Sequence, residues 1–414
     1  MNRCIALSLG LSLALSTISP AQPLPIGGEV TVNATVAGEQ TSPDIAADGA
    51  DNFRIVWSTQ VGDPAHWDVR IRRLQVNGSL GSDSLLSETT TLDQKSPSVD
   101  STAGGDWVAS WSTDQAAVGV DLPFGRWTTA GGTILGAESQ FAVDLPADIS
   151  FPAVAAVGDD SFVGVWRNES DGNSIEGRFR DRSGVQFAGS AIAASAPGSA
   201  PDAAGLYGDQ WVAVWHASDG QGSGAYFRCH ELALALEPGT IAHAVVTGDQ
   251  TFPAVASDGQ FRFVIVWQHE LEIRARLFTI DGGGTDCAPI GNEFTVSTPG
   301  EPAAFPRVDM AADGAFVVVW YSQEFDADNG IAAREYTKVG LPAGAPFAVN
   351  ATTLGVQANP AVAISAGTFG AVWTTPDSGA AGPRNIVVRR FARRVVFTDG
   401  FESLDFTAWS AVTP

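Results

Sequence analysis

The sequence predicts an all-β fold, a seven-bladed β-propeller with four antiparallel strands per blade, and three observations carry that prediction. A tryptophan closes an apolar run seven times, at Trp57, Trp111, Trp166, Trp215, Trp267, Trp320 and Trp373, with successive gaps of 49 to 55 residues. A proline precedes each one, at Pro43, Pro97, Pro152, Pro201, Pro253, Pro306 and Pro360, at a spacing of 14 residues six times and 13 once. The two ends are complementary: Leu24 to Thr35 aligns without a gap with Leu341 to Thr352, the stretch that the seventh repeat lacks. Self-similarity at a period near 50 residues is the mark of a repeat architecture.

Each element follows from local pattern. The segment after each proline is rich in small residues, as in Ala46-Ala47, Ala155-Ala156 and Ala311-Ala312, which suits an innermost strand at the crowded centre of a ring. A turn such as Asp258-Gly259 or Asp313-Gly314 links it to a second strand, a hairpin signal. That second strand, ending at the tryptophan, is apolar on both faces, as expected of a blade sandwiched between two others. A third strand carries an arginine, at Arg72, Arg178, Arg228, Arg276, Arg334 and Arg389, while the second repeat is displaced to Arg126-Trp127. The arginine is expected to form a repeated ion pair or to cover apolar surface with its stem. A fourth strand follows, as in Phe347-Ala348-Val349-Asn350. The N-terminal strand, residues 28–33, is expected to supply the fourth strand of blade 7, closing the ring and removing two free sheet edges.

Residues 1–21 read as a signal peptide: Arg3, an apolar run from Cys4 to Leu15, then Ser19-Pro20-Ala21 before the expected cut. The propeller is assigned to 22–397 and a C-terminal tail, expected to be disordered, to 398–414. The formal charge is −23, with Lys95 and Lys338 the only lysines, which argues against nucleic acid and anionic membrane as partners. No apolar run is long enough to span a bilayer as a helix, and a monomer is expected. Once the leader is removed, Cys229 and Cys287 remain, and an oxidising compartment would allow a bridge between them.

The unit Phe305-Pro306-Arg307-Val308 through Trp320 to Arg334 resembles a repeat of bacterial secreted and surface proteins, some of which also carry hemolysin-type calcium-binding modules. The resemblance covers about residues 24 to 394 and implies the propeller fold and export from a Gram-negative cell, with no activity attached. The glycine-aspartate nonapeptides that bind calcium in such proteins are absent from this sequence. The tail, Asp399-Gly400-Phe401-Glu402-Ser403 through Trp409-Ser410, resembles a short C-terminal segment of exported proteins.

In propellers the loops between strands two and three, and those from strand four to the next strand one, share a face. The former place Asp63, Asp114, Asp171, Asp219, Glu270, Asp326, Asp328 and Asp377 on one acidic rim. Hard oxygen ligands converging there could hold calcium, with Asp326, Asp328 and Asn329 the best candidate set; ordinary turn chemistry and solvated loops explain the same residues more simply. His216 and His269 follow their tryptophans on the same rim, a conceivable transition-metal or acid-base pair without a third ligand. Trp67, in a polar stretch, is the aromatic expected to be most exposed.

No nucleophile-histidine-acid arrangement stands out, and the Ser-x-Asp-x-Gly-x-x-Trp box of sialidases is missing. The reading favoured by sequence is a non-catalytic secreted or surface scaffold whose loops bind a protein or glycan. Two alternatives stand beside it. One is a carbohydrate-active propeller enzyme of glycosidase or lyase type, with a carboxylate pair such as Asp171 and Asp326. The other is a structural matrix protein with calcium-stabilised loops.

Overall fold

The computed structural model describes residues 22–394 apart from 63–65, 90–91, 103, 118–119, 142–147, 182–196, 232–233, 236–238, 281–285 and 377–382. The expected signal peptide, 1–21, the expected tail, 398–414, Asp63 and Asp377 therefore lie outside the described residues.

Seven antiparallel sheets form a ring, and the chain is a seven-bladed propeller. Blade 1 shows the plan: an inner strand Gln40–Ala47, a second strand Phe53–Val61, a third His66–Leu74 and a short fourth Ser84–Leu85. The inner strands of successive blades stand side by side around a central channel. In blade 7 the inner strand Ala358–Ile364 leads to Thr368–Pro376 and Arg384–Ala392, and the N-terminal strand Val30–Thr31 pairs with the last of these, Val30 opposite Val388. Ile26 N, Val32 N and Ala392 N extend that pairing through bonds to Arg390 O, Ile386 O and Leu24 O. The complementary ends do make one blade.

The core is a set of interfaces between blades. The seven repeat tryptophans are at most 3% exposed, each at the end of an apolar second strand packed between neighbours. Gln40, Gln94 and Gln357, three residues before their prolines, accept the indole N–H of Trp57, Trp111 and Trp373 at 3.0, 2.9 and 3.1 Å. The sequence thus fixes both ends of the first hairpin with one polar contact.

The third-strand arginines occupy an identical register in all seven blades, each opposite the residue two before its tryptophan. Arg72 faces Ile55, Arg126 faces Ala109, Arg178 faces Gly164, Arg228 faces Ala213, Arg276 faces Ile265, Arg334 faces Val318 and Arg389 faces Ala371. Arg126 stands 15 residues after its tryptophan, as Arg72 does, so blade 2 departs only in the aromatic that follows, Trp127 directly after the arginine.

These side chains work chiefly by hydrogen bonds to carbonyls; an ion pair is added at Arg126, to Glu88, and the Arg276, Arg334 and Arg389 guanidiniums cover the rings of Phe278, Tyr336 and Phe391 at 5.8, 5.6 and 5.3 Å. Arg72 Nη1 donates to Val32 O, Arg126 to Leu86 O, Arg276 to Ala242 O, Arg334 to Val296 O and Arg389 to Val349 O, in every case the fourth strand of the preceding blade. In blade 3 the bond comes from Arg180, to Phe141 O, while Arg178 bonds Gly177 O. Through Arg72 the staple reaches the N-terminal strand and so crosses the point of closure.

Cys229, in the third strand of blade 4, and Cys287, at the start of the fourth strand of blade 5, form a disulfide with Cα atoms 6.4 Å apart. Among the described residues no helix is long and apolar enough to cross a membrane.

Candidate functional site: the central channel and its loop-side mouth

A cavity of about 1050 Å³ runs through the ring, bordered by the inner strands of all seven blades. Its shape follows from one repeated irregularity. In every blade the inner strand carries a bulge at the proline: in blade 1 the register passes from Thr41 opposite Ser58 to Asp44 opposite Val56, leaving one residue extra. Proline has no N–H to lose there. The residue before it takes a left-handed backbone in all seven blades, at Ser42, Ser96, Phe151, Ala200, Phe252, Phe305 and Asn359, with φ between 46° and 54°. A non-glycine residue seldom adopts this conformation, and a sevenfold repeat of it shows that the surrounding blade imposes it.

The bulge residues all border the cavity near the face of the two-to-three loops. They divide that mouth into two arcs. Blades 3, 5 and 6 present Phe151, Phe252 and Phe305, whereas blades 7, 1 and 2 present Asn359, Ser42 and Ser96. Phe252 and Phe305 have ring centroids 4.5 Å apart, and Tyr321 lies 5.8 Å beyond Phe305. Phe151 is 47% exposed and Phe305 44%, with the Arg167 guanidinium 5.1 Å over the Phe151 ring. The backbone N–H of a bulge residue is held by the side chain that follows the tryptophan of the preceding blade: Ser96 N by Ser58 Oγ, Phe252 N by His216 Nδ1, Phe305 N by Gln268 Oε1.

Deeper in the channel, four aspartates meet a different need. The inner strand is an edge strand, and its N–H groups facing the channel have no ladder partner. Asp44 accepts from Ile45 N and from Val99 N of blade 2. Asp202 accepts from Ala203 N and Val255 N of blade 5, Asp100 from Ser101 N and Ala156 N of blade 3, and Asp309 from Met310 N and Ile364 N of blade 7. Each carboxyl therefore bridges two blades with both oxygens. Ser101, Ser257 and Ser365 complete the seam by donating to Ala47 O, Gly205 O and Asp48 O of adjoining blades.

Burial raises all four acids: Asp44 to about 6, Asp100 and Asp309 to about 7, and Asp202 upward as well. The backbone N–H bonds oppose the rise, and Arg307 opposes it for Asp44 and Asp202. Arg307 is exposed to the channel, and among the described residues its side chain makes one hydrogen bond, from Nη1 to Pro306 O at 3.0 Å.

The rim residues foreseen from sequence are held by local hydrogen bonds, and Asp114 lies not in a loop but inside the second strand of blade 2, Trp107–Ala117. Asp114 Oδ1 accepts from Asp93 N, Asp219 Oδ1 from Gln221 N and Glu270 Oε1 from Asp249 N. Asp171 is exposed in a short 3-10 turn and accepts from Ser174 Oγ at 3.4 Å. Asp326, 7% exposed, uses Oδ1 for Asp328 N and Oδ2 for Asn350 Nδ2, while Asp328 is exposed and Asn329 takes φ 77°. Among the described residues no group of three or more His, Cys, Asp or Glu side chains is placed to hold a metal ion.

Two expectations are corrected. Trp67 is not an exposed loop aromatic: it lies half-buried in the third strand of blade 1, opposite Gln60. His216 and His269 do not form a pair of free imidazoles. His216 Nδ1 holds the Phe252 backbone and His269 Nδ1 lies 3.0 Å from Gln250 Nε2. Burial, joined by Arg167, keeps His216 below its ordinary value and so neutral, as an acceptor nitrogen must be.

The channel residues had a signal in the sequence that spacing alone passes over. Aligning the seven prolines puts Phe151, Phe252 and Phe305 in one column and Asp44, Ser98, Asp202 and Arg307 in another.

No family description matches the sequence and no curated protein is similar to it. Among solved structures, a protein of unknown function from Dyadobacter fermentans is similar at TM-score 0.50 and 9% identity, covering 88% of this chain and 98% of its own. The β-propeller domain of the Trilobed protease from Pyrococcus furiosus gives 0.49 and 8%, covering 86% and 94%. An α-L-arabinanase from Penicillium chrysogenum gives 0.48 and 11%, covering 77% and 100%. Likeness at such identities is one of fold alone.

Proposed function

We propose that this protein is a non-catalytic binding scaffold, exported to an oxidising compartment, that engages its ligand at the loop-side mouth of the central channel. The observation that carries this reading is an aromatic arc of exposed Phe151 and Phe305 with half-buried Phe252 and Tyr321, over a cavity at the upper end of small-ligand volumes. Phe151 and Phe305 keep nearly half their surface exposed although the left-handed backbone that holds them is costly for a large side chain. The disulfide between blades 4 and 5 accords with export.

The enzyme reading has one observation in its favour: acids raised toward neutrality inside a cavity. Their hydrogen bonds argue the other way. Both oxygens of each acid are held by backbone N–H groups of two blades, so moving a proton there would disturb the seam of the ring. The pair Asp171 and Asp326 offers no alternative, because Asp326 is buried in its own turn.

The test is a thermal-unfolding screen against a mixed panel of small sugars, amines, carboxylates and short peptides. A ligand of the folded state raises the midpoint by mass action. Compounds that stabilise the protein but not its F252A/F305A variant are expected. An absence of such compounds, or stabilisation that the double substitution leaves intact, would overturn the reading.

A further inference from the structure

Resting on that reading, we infer that the mouth recognises a neutral oligosaccharide, its sugar rings stacked on the Phe252–Phe305–Tyr321 arc and its hydroxyls shared between Arg307 and the carboxyls of Asp44 and Asp202. The three aromatic rings follow one another around the mouth at 4.5 and 5.8 Å, a continuous apolar wall rather than isolated side chains. Sugar rings offer a C–H face to such a wall, which the negative face of an aromatic ring attracts.

Arg307 stands two residues on from Phe305, one step further into the channel. It forms no ion pair within 4 Å among the described residues, and with one bond spent on Pro306 O most of its planar fork faces the cavity. Asp44 and Asp202 are close enough to sense its charge. Their oxygens are engaged by backbone donors but retain further lone pairs. Donors on Arg307 and acceptor carboxyls on the wall of the same cavity match a group that donates and accepts from adjacent atoms. Vicinal hydroxyls do this without bringing charge.

Charge argues against the two other classes that fit an elongated channel. A linear polyamine would have to pass Arg307, and a polyanion would have to approach Asp44 and Asp202. On the opposite arc Ser42, Ser96 and Asn359 add small polar groups without net charge. Neutral, polar and flat-faced is the ligand that the whole mouth admits.

The experiment measures binding of cellotriose, xylotriose, mannotriose and arabinotriose to the protein by calorimetry, with spermidine and trigalacturonate as charged comparators. F305A and R307A are the variants, both at positions exposed to the channel, and unaltered far-ultraviolet circular dichroism checks their folding. Binding of at least one neutral trisaccharide, weakened about tenfold or more by each substitution, is the expected result. Sugar binding that neither variant weakens would place the sugar elsewhere and overturn the inference. Binding of spermidine or trigalacturonate alone, lost in F305A, would overturn it while leaving the mouth as the binding site. Failure of every probe here, together with failure of the mixed panel above, would remove both.

Discussion

The propeller carries acids in two places, and the comparison between them separates structure from surface. On the rim, Asp114, Asp219 and Glu270 close loops within one blade and stand in or near solvent. In the channel, Asp44, Asp100, Asp202 and Asp309 each join two blades and are pushed upward by burial. Residue type is the same, and the difference lies in which backbone N–H groups face the carboxyl. An inner strand has an unsatisfied edge toward the axis, which these carboxyls reach both on their own strand and on that of the neighbouring blade. An acidic loop has water instead.

The largest expected effect that would test this contrast is on stability. Asp100→Ala or Asp309→Ala leaves two N–H groups of different blades without an acceptor and should cost about 2–3 kcal/mol in denaturant unfolding. Asp171→Ala on the rim should change stability by less than about 0.5 kcal/mol. Equal losses at the two places would break the comparison.

Next in size is the dependence on pH. The channel acids have folded values above their unfolded value of about 3.9, so the stability linked to them is fully present below about pH 4 and declines as pH rises through about 6 to 7. The unfolding midpoint should fall by roughly 5 °C between pH 5 and pH 8. Asp100→Asn with Asp309→Asn should flatten that slope. A midpoint that rises over the same range in the parent protein would show that these carboxyls are charged and well solvated.

A smaller effect concerns the bridge between blades 4 and 5. Replacing Cys229 and Cys287 with Ser should lower stability by about 2 kcal/mol or less, because the propeller is already closed by its terminal strand. Scanning calorimetry of parent and variant under oxidising conditions measures it, and a loss of cooperativity would make the disulfide part of closure.

The smallest expected effect is that of calcium. Since no group of three or more His, Cys, Asp or Glu side chains among the described residues surrounds Asp326 to complete a calcium shell, the midpoint should be the same in calcium and in chelator. A calcium-dependent rise that disappears in D326A/D328A would instead make the rim a metal site.

Much of the architecture was legible in the chain. Seven proline-tryptophan spacings gave the number of blades, and the match of Leu24–Thr35 to Leu341–Thr352 gave the closure later seen as Val30 opposite Val388. The site was less legible. Attention to polar loops led to Asp326 and Trp67, whereas the mouth is formed by bulged residues inside strands, where sequence pattern suggests packing. Phe305 looks like one more core residue until its backbone is seen at φ 52°.

The sequence by itself determined the repeat, the alternation of small inner and apolar second strands, and the tryptophan layer, because these depend on local periodicity and on burial that any blade imposes. Only the tertiary structure decided what the channel acids and the third-strand arginines do. Asp44 to Val99 and Arg72 to Val32 join residues of different blades, and neither partner can be identified until the ring brings one blade's side chain against the next blade's backbone.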